Sequence, residues 1–117
     1  KERSNMREER EAFFVDGVLV GVARITRKPN HIENGNIGFA IRPTERGKRY
    51  ATVFINLIHR KCMCMGVENP TACIDARNER SIKAFMRAGW RMTGRSYRWN
   101  PDPDPRVAIE MCPYPKD

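Results

Sequence analysis

No stretch of this 117-residue chain approaches the roughly 18 consecutive apolar residues that would cross a bilayer, which excludes a helical membrane anchor within it. It has no starting methionine and no apolar segment behind its first charges, so nothing at the front reads as a secretory signal. Soft metal ligands are scarce: the histidines are His31 and His59, and the four cysteines contain no C-x-x-C pair, so zinc-site spacing is not matched and no metal is expected. Cys62 and Cys64 lie two apart on an expected helix and point to different sides, and Cys73 sits in an apolar run and reads as core. These are the free thiols of a reducing compartment, and a cytoplasmic location is the expectation. Negative charge is also in short supply. Against 22 Lys and Arg there are 14 Asp and Glu, a formal charge of +8, which suits nucleic acid, an acidic protein or a phosphorylated small molecule, or serves only as a basic surface.

What is present suits one small globular domain spanning residues 1–117, since at this length about two-thirds of the unfolded surface can be buried around a single core. Lys1 to Glu11 carry almost no apolar side chains and read as a frayed or mobile lead-in. "EAFFVDGVLVGVARITR" then puts Asp16-Gly17 between two apolar runs, the dipeptide that supplies positive φ for a two-residue hairpin. After Pro29, Asn34-Gly35 marks a second turn, and "NIGFAIR" places Ile37, Phe39 and Ile41 on one face of a third strand.

From Lys48 the period changes. Tyr50, Val53, Phe54, Leu57 and Ile58 follow helical spacing, with Arg49, Thr52, Asn56 and Arg60 on the opposite side, and the helix ends near Gly66. "TACID" reads as a short covered strand after Asn69-Pro70. A second helix follows, capped by Asn78 or its neighbour, with Ile82, Phe85 and Met86 inward and Gly89 as its stop. "WRMTGRSYRW" and "RVAIEMC" give two last strands around an irregular Pro-Asp-Pro-Asp-Pro loop. The expected fold is α+β: a mixed, mostly antiparallel sheet with two packed helices and "TACID" parallel to "NIGFAIR" through a right-handed crossover.

Attention falls on "IRPTERGKRYATVFINL", where a strand breaks at a proline and a helix starts a few residues on, with Arg42, Arg46, Lys48 and Arg49 around Gly47. Such a junction presents unpaired backbone N–H groups at the positive end of the helix dipole, a ready seat for phosphate, and equally it describes a polar loop with solvated cations.

"RGKRYA" after a strand, followed by "DARNERSIKAFMRAGW" after the next, resembles the GNAT superfamily of N-acetyltransferases, from about Phe13 to the last strand. The resemblance implies a GNAT-like acyl-CoA acyltransferase fold and acetyl-coenzyme A as co-substrate. It implies that the amides from Gly47 through Lys48, Arg49 and Tyr50 to Ala51, with the Arg46 and Lys48 side chains, hold the pyrophosphate. The family's loop pattern has a glycine where this chain has Arg49. The family's pantetheine arm lies along the strand before the loop, here Phe39, Ala40 and Ile41, where a backbone N–H serves as an oxyanion hole. Asn78 and Ser81 match the residues that meet the cofactor arm, and Lys83 falls near the adenosine phosphates.

The chain departs from the family in two further ways. Phe85 stands where many members have a tyrosine that protonates the departing thiolate, leaving water, Tyr50 or Tyr97 for that task. The base is open among Glu33, Glu68 and Asp75 by residue type. The family's opening strand and two helices, which wall the acceptor site, have no counterpart here, so either they were lost or a homodimer partner supplies the wall. The leading expectation is acetyl transfer from acetyl-CoA to a primary amine of a small molecule or protein. A weak or inactive CoA-binding module is the alternative. A basic nucleic-acid binder is the third, with Trp90, Tyr97 and Trp99 beside Arg91, Arg95 and Arg98 as a stacking surface.

Overall fold

In the computed structural model, residues 8–28, 35–47, 49–99 and 106–113 are described, Trp99 by its backbone only. They form β1 (Glu8–Val15), β2 (Val18–Thr26), β3 (Ile37–Ile41), a 3-10 turn (Pro43–Glu45), α1 (Tyr50–Cys64), β4 (Ala72–Asp75), α2 (Glu79–Arg87), β5 (Arg91–Trp99) and β6 (Arg106–Cys112). The six strands make one sheet in the order β1-β2-β3-β4-β6-β5. Every pairing is antiparallel except β3 with β4, which is parallel as the sequence suggests.

The first hairpin turns on Asp16 and Gly17, both at positive φ (52° and 81°), the geometry a right-twisted two-residue loop demands. Gly35 has φ 68°, while Asn34, His31 and the 101–105 proline stretch lie outside the described residues. The lead-in is shorter than the composition suggested: Glu8 to Glu11 are already strand, paired with β2 from Thr26 to Ala23. Their alternate carboxylates explain it. Lys61 of α1 reaches Glu9 at 3.2 Å and Glu11 at 3.5 Å, so polar side chains take the place of apolar ones over that end of the helix.

Both helices pack on one face of the sheet, over Ala23, Ile25, Ile37, Ala72, Ile74 and Met111. The inward stripe of α1 is rotated from the expected one: Phe54, Ile55, Ile58 and Cys62 are buried, whereas Val53 and Leu57 are 55% and 44% exposed. Ile55 makes the difference, because an apolar arc one residue wider allows the helix to roll until Ile55, Ile58 and Cys62 line the core at three- and four-residue steps. In α2, Phe85 and Ala84 are buried, Ile82 packs against the core, and Met86 turns outward.

None of the cysteines is in a disulfide. Cys62 and Cys112 are buried, Cys64 is exposed and Cys73 only half-buried, because β4 turns it to the face away from the helices. Burial pushes the Cys62 thiol up to about 11. Among the described residues no group of three or more His, Cys, Asp or Glu could hold a metal, and no helix is long and apolar enough to cross a membrane.

Candidate functional site: a splayed seam facing a helix start

The parallel seam between β3 and β4 closes at one end and opens at the other. Only Ile37 and Ala72 pair across it as parallel partners, with Gly35 bridging to Ala72 beside them. Asn36 closes this end. Its side-chain N–H groups donate to the Thr26 carbonyl at 2.7 Å and the Arg27 carbonyl at 3.2 Å, and its Oδ1 accepts from the Thr71 N–H at 2.9 Å and hydroxyl at 3.3 Å. The Thr71 carbonyl in turn accepts from the N–H groups of Asn36 and Ile37.

Beyond Ile37 the strands part. On its other edge β3 stays bonded to β2, with Thr26 N–H to Asn36 carbonyl at 2.7 Å and Arg42 N–H to Val20 carbonyl at 2.9 Å bracketing the ladder. Antiparallel alternation between those bonds commits the amides of Gly38 and Ala40 to β2 and turns those of Phe39 and Ile41 toward the gap. Of the three strand residues expected to line an acyl group, Phe39 and Ile41 thus offer backbone groups, while Ala40 does not.

At the open end stands the basic turn. Arg42 donates to the Leu19 carbonyl at 3.1 Å, and Arg46 folds back so that its Nε donates to the Ile41 carbonyl at 3.3 Å, which holds a guanidinium at the mouth of the gap. Gly47 has φ 84°, and Lys48 lies outside the described residues. Arg49 is not on the polar face of α1, as the periodicity implied, but is its N-cap, in the left-handed region at φ 65°, ψ 19°. That conformation costs a residue with a Cβ about 1–2 kcal/mol. It is the backbone shape a glycine adopts freely, so the loop keeps the glycine-type geometry without the glycine.

No side chain caps α1 and no acidic residue occupies its first turn, so the amides of Tyr50, Ala51 and Thr52 end the helix without internal partners. Together these groups, with the dipole behind them and the guanidiniums of Arg42, Arg46 and Arg49 nearby, form a strongly electropositive corner.

The second wall comes from β4 and α2. Asn78 caps α2, its Oδ1 accepting from the Ser81 N–H at 3.2 Å, which uses the oxygen and leaves the exposed side-chain N–H donors pointing outward. Phe85 is only 2% exposed, and its ring meets Trp90 at 4.8 Å and Phe39 at 6.4 Å, so it sits under the splayed strand as an apolar floor. Tyr50 stacks on Phe54 at 5.9 Å, and the Tyr97 hydroxyl is committed to Glu110 at 3.2 Å.

The base candidates fare unevenly. Asp75 is tied to Arg77 by three bonds of 2.9 to 3.2 Å, and these, with Arg106 at 3.7 Å, hold its carboxyl below the usual range, which makes it a poor proton acceptor. Glu68 lies just before Thr71, at the closed end of the seam, and Glu33 is outside the described residues. Sequence reasoning missed Glu110. It is 5% exposed on β6, facing away from the helices, and accepts from the hydroxyls of Thr93 (2.6 Å) and Tyr97. Its signal was a lone carboxylate in an apolar last strand.

Trp90 is fully buried between Phe85 and His59, so it offers no surface for base stacking, whereas Tyr97 is half-buried and the Trp99 side chain lies outside the described residues.

A model of the acetyltransferase (GNAT) domain matches residues 3–91, and the chain belongs to that family. Among solved structures it is similar to yncA of Salmonella typhimurium, solved with its cofactor acetyl-CoA (15% identity, TM-score 0.75, covering 94% of this chain and 66% of that one). It is similar to an N-acetyltransferase from Staphylococcus aureus Mu50 (19%, TM-score 0.72, 92% and 68%). A mutant spermidine N-acetyltransferase from Vibrio cholerae matches at 15% identity and TM-score 0.72, over 91% and 64%. At these identities the likeness is one of fold, and the chain spans about two-thirds of each structure's length. No curated protein matches it by sequence.

Proposed function

We propose that the chain binds acetyl-CoA in the splayed seam and transfers the acetyl group to a primary amine. The observation that carries this reading is the alignment of the gap between β3 and β4 with the uncapped, acid-free start of α1. The residues fit the cofactor: the Tyr50 to Thr52 amides and the turn's guanidiniums suit a diphosphate, and the free edge of Phe39 and Ile41 suits an extended amide-bearing arm. Asn78 and Ser81, at the start of α2, would serve as further polar contacts.

When bound, the cofactor would supply an activated acyl thioester for the free amine to attack, the C–N bond forming as the C–S bond breaks and the thiolate leaves. The N–H of Phe39 or Ile41 stabilises the carbonyl oxygen as it gains charge, an effect worth about 3 kcal/mol for one donor in comparable sites. Phe85 cannot donate a proton, so the leaving thiolate would take one from water, and the acceptor's ammonium would first have to lose a proton to a base before the free amine could attack. The buried Phe85 favours a second reading, a CoA-binding module with little turnover; under the transferase reading, a homodimer partner would complete the acceptor wall.

A thermal-shift titration with acetyl-CoA tests the proposal, because ligand at about 100 times its Kd adds about 2.7 kcal/mol of stability. Arg46→Ala should remove most of that gain. No stabilisation by millimolar acetyl-CoA would overturn both readings, whereas stabilisation without thiol release across a panel of amines would leave the binding module.

A further inference from the structure

The sheet face away from α1 and α2 carries a feature that cofactor binding does not use. Register places Arg10, Arg24 and Gly38 in one cross-strand row and Ala12, Val22 and Ala40 in the next. Together they line a shallow, open groove of about 450 Å³ on the sheet face. Its floor is apolar, and its cations are unequal. Arg10 is 81% exposed and paired with Glu8 at 3.0 Å.

Arg24 is half-buried and lies flat on the backbone of β3: a Cβ on Gly38 would come within 2.9 Å of its Nη2, 3.1 Å of its Nε and 3.3 Å of its Cζ. Its one hydrogen-bond partner among the described residues is the Thr26 hydroxyl, at 2.6 Å from Nη1, and no carboxylate answers it. Immobilising a long cationic side chain costs up to about 2 kcal/mol of rotamer entropy, and on the open side of the groove its remaining donors face solvent. Such a group is built for an anion that arrives from outside. A planar guanidinium with free donors matches a carboxylate in two-point fashion.

Resting on the acetyltransferase reading, we propose that Arg24 holds the carboxylate of the acceptor, so that the favoured substrate is a small primary amine bearing a carboxylate. The position supports this. Gly38 directly precedes Phe39, whose amide faces the acyl gap, so the Arg24 guanidinium lies over the neighbouring residue of the same strand, on the sheet face away from the helices. A polycation such as spermidine, the substrate named for one structural relative, would instead meet Arg24 and Arg10 as like charges.

The test pairs each amino acid with the amine that remains when its carboxylate is removed, phenylalanine with phenethylamine and methionine with 3-(methylthio)propylamine. Thiol release from acetyl-CoA is followed with the full chain. A charge-assisted pair predicts a kcat/KM preference of about 10- to 100-fold for the carboxylate-bearing member. Arg24→Gln should collapse that preference mainly through KM. Gly38→Ala, which keeps the charge but pushes the guanidinium off the strand, should do the same. Equal use of both members, or an undiminished preference in either folded variant, overturns the proposal. Amide NMR without cofactor separates this from failure of the acetyltransferase reading. Gly38 and Ala40 resonances that move with phenylalanine and not with phenethylamine support the subsite even if no amine releases thiol, and resonances indifferent to both sink it.

Discussion

The two ends of one seam behave as opposites. At the closed end Asn36 and Thr71 are densely hydrogen-bonded: Asn36 alone joins β2, β3 and the approach to β4, and Gly35 lets the backbones come so close that a Cβ would lie 3.0 Å from the Cys73 N–H nitrogen. At the open end, backbone donors face a gap, the helix has no cap, and Arg49 holds a left-handed conformation. The closed end is what permits the open one. A V between strands can persist only if its apex is fixed, because an untethered pair would zip up or separate, and the apex here is fixed by side-chain and backbone hydrogen bonds rather than by a longer ladder.

Breaking the apex should therefore cost most. Gly35→Ala adds a left-handed penalty to a clash with backbone atoms that cannot swing aside, and should lower unfolding free energy by about 3 kcal/mol in urea titrations. Asn36→Ala leaves the Thr71 N–H and the Thr26 carbonyl without their partner and should cost about 2 kcal/mol. Both should weaken acetyl-CoA binding although neither residue touches the proposed site.

A change at the open end should run the other way. Arg49→Gly relieves the positive φ and should add up to about 1 kcal/mol of stability, offset in part by the lost chain stiffness, while acetyl-CoA affinity holds or rises. A fall in both would mean that the Arg49 side chain carries more than its backbone does.

The smallest effect concerns Asp75, at the open end of β4. Hydrogen bonds from Arg77, and more weakly the charges of Arg77 and Arg106, depress its carboxyl in the fold. A depressed acid stabilises the fold above its ordinary titration range, and that contribution fades as pH falls through the lower folded value. Asp75→Asn should thus lower Tm slightly at pH 7, and the difference from the unsubstituted chain should disappear as pH falls below about 4.

The hairpin, both helices and the order of elements along the chain were legible because each rests on local chemistry, as at Asp16-Gly17, the change of period at Tyr50 and the Asn78 cap, whereas the insertion of β6 between β4 and β5 was not. The face of α1 was read one step off because Ile55 widens the apolar arc, and the sequence carries no mark of which edge of a wide arc meets the sheet. The splay was invisible for a different reason. It is set by how few pairs β3 and β4 share and by Asn36 reaching 35 residues ahead to Thr71, and long-range hydrogen bonds leave no periodicity. Arg24 and Glu110 escaped notice likewise, since a single charged residue in a strand shows neither its neighbours nor its burial until the register is known.

The most direct measurement is an amide NMR titration of the intact chain with acetyl-CoA. The account predicts the largest shifts at Phe39, Ile41, Tyr50, Ala51 and Asn78, with the Asp16-Gly17 hairpin unmoved. Saturable binding that leaves the Phe39 and Tyr50 to Thr52 amides in place would contradict it.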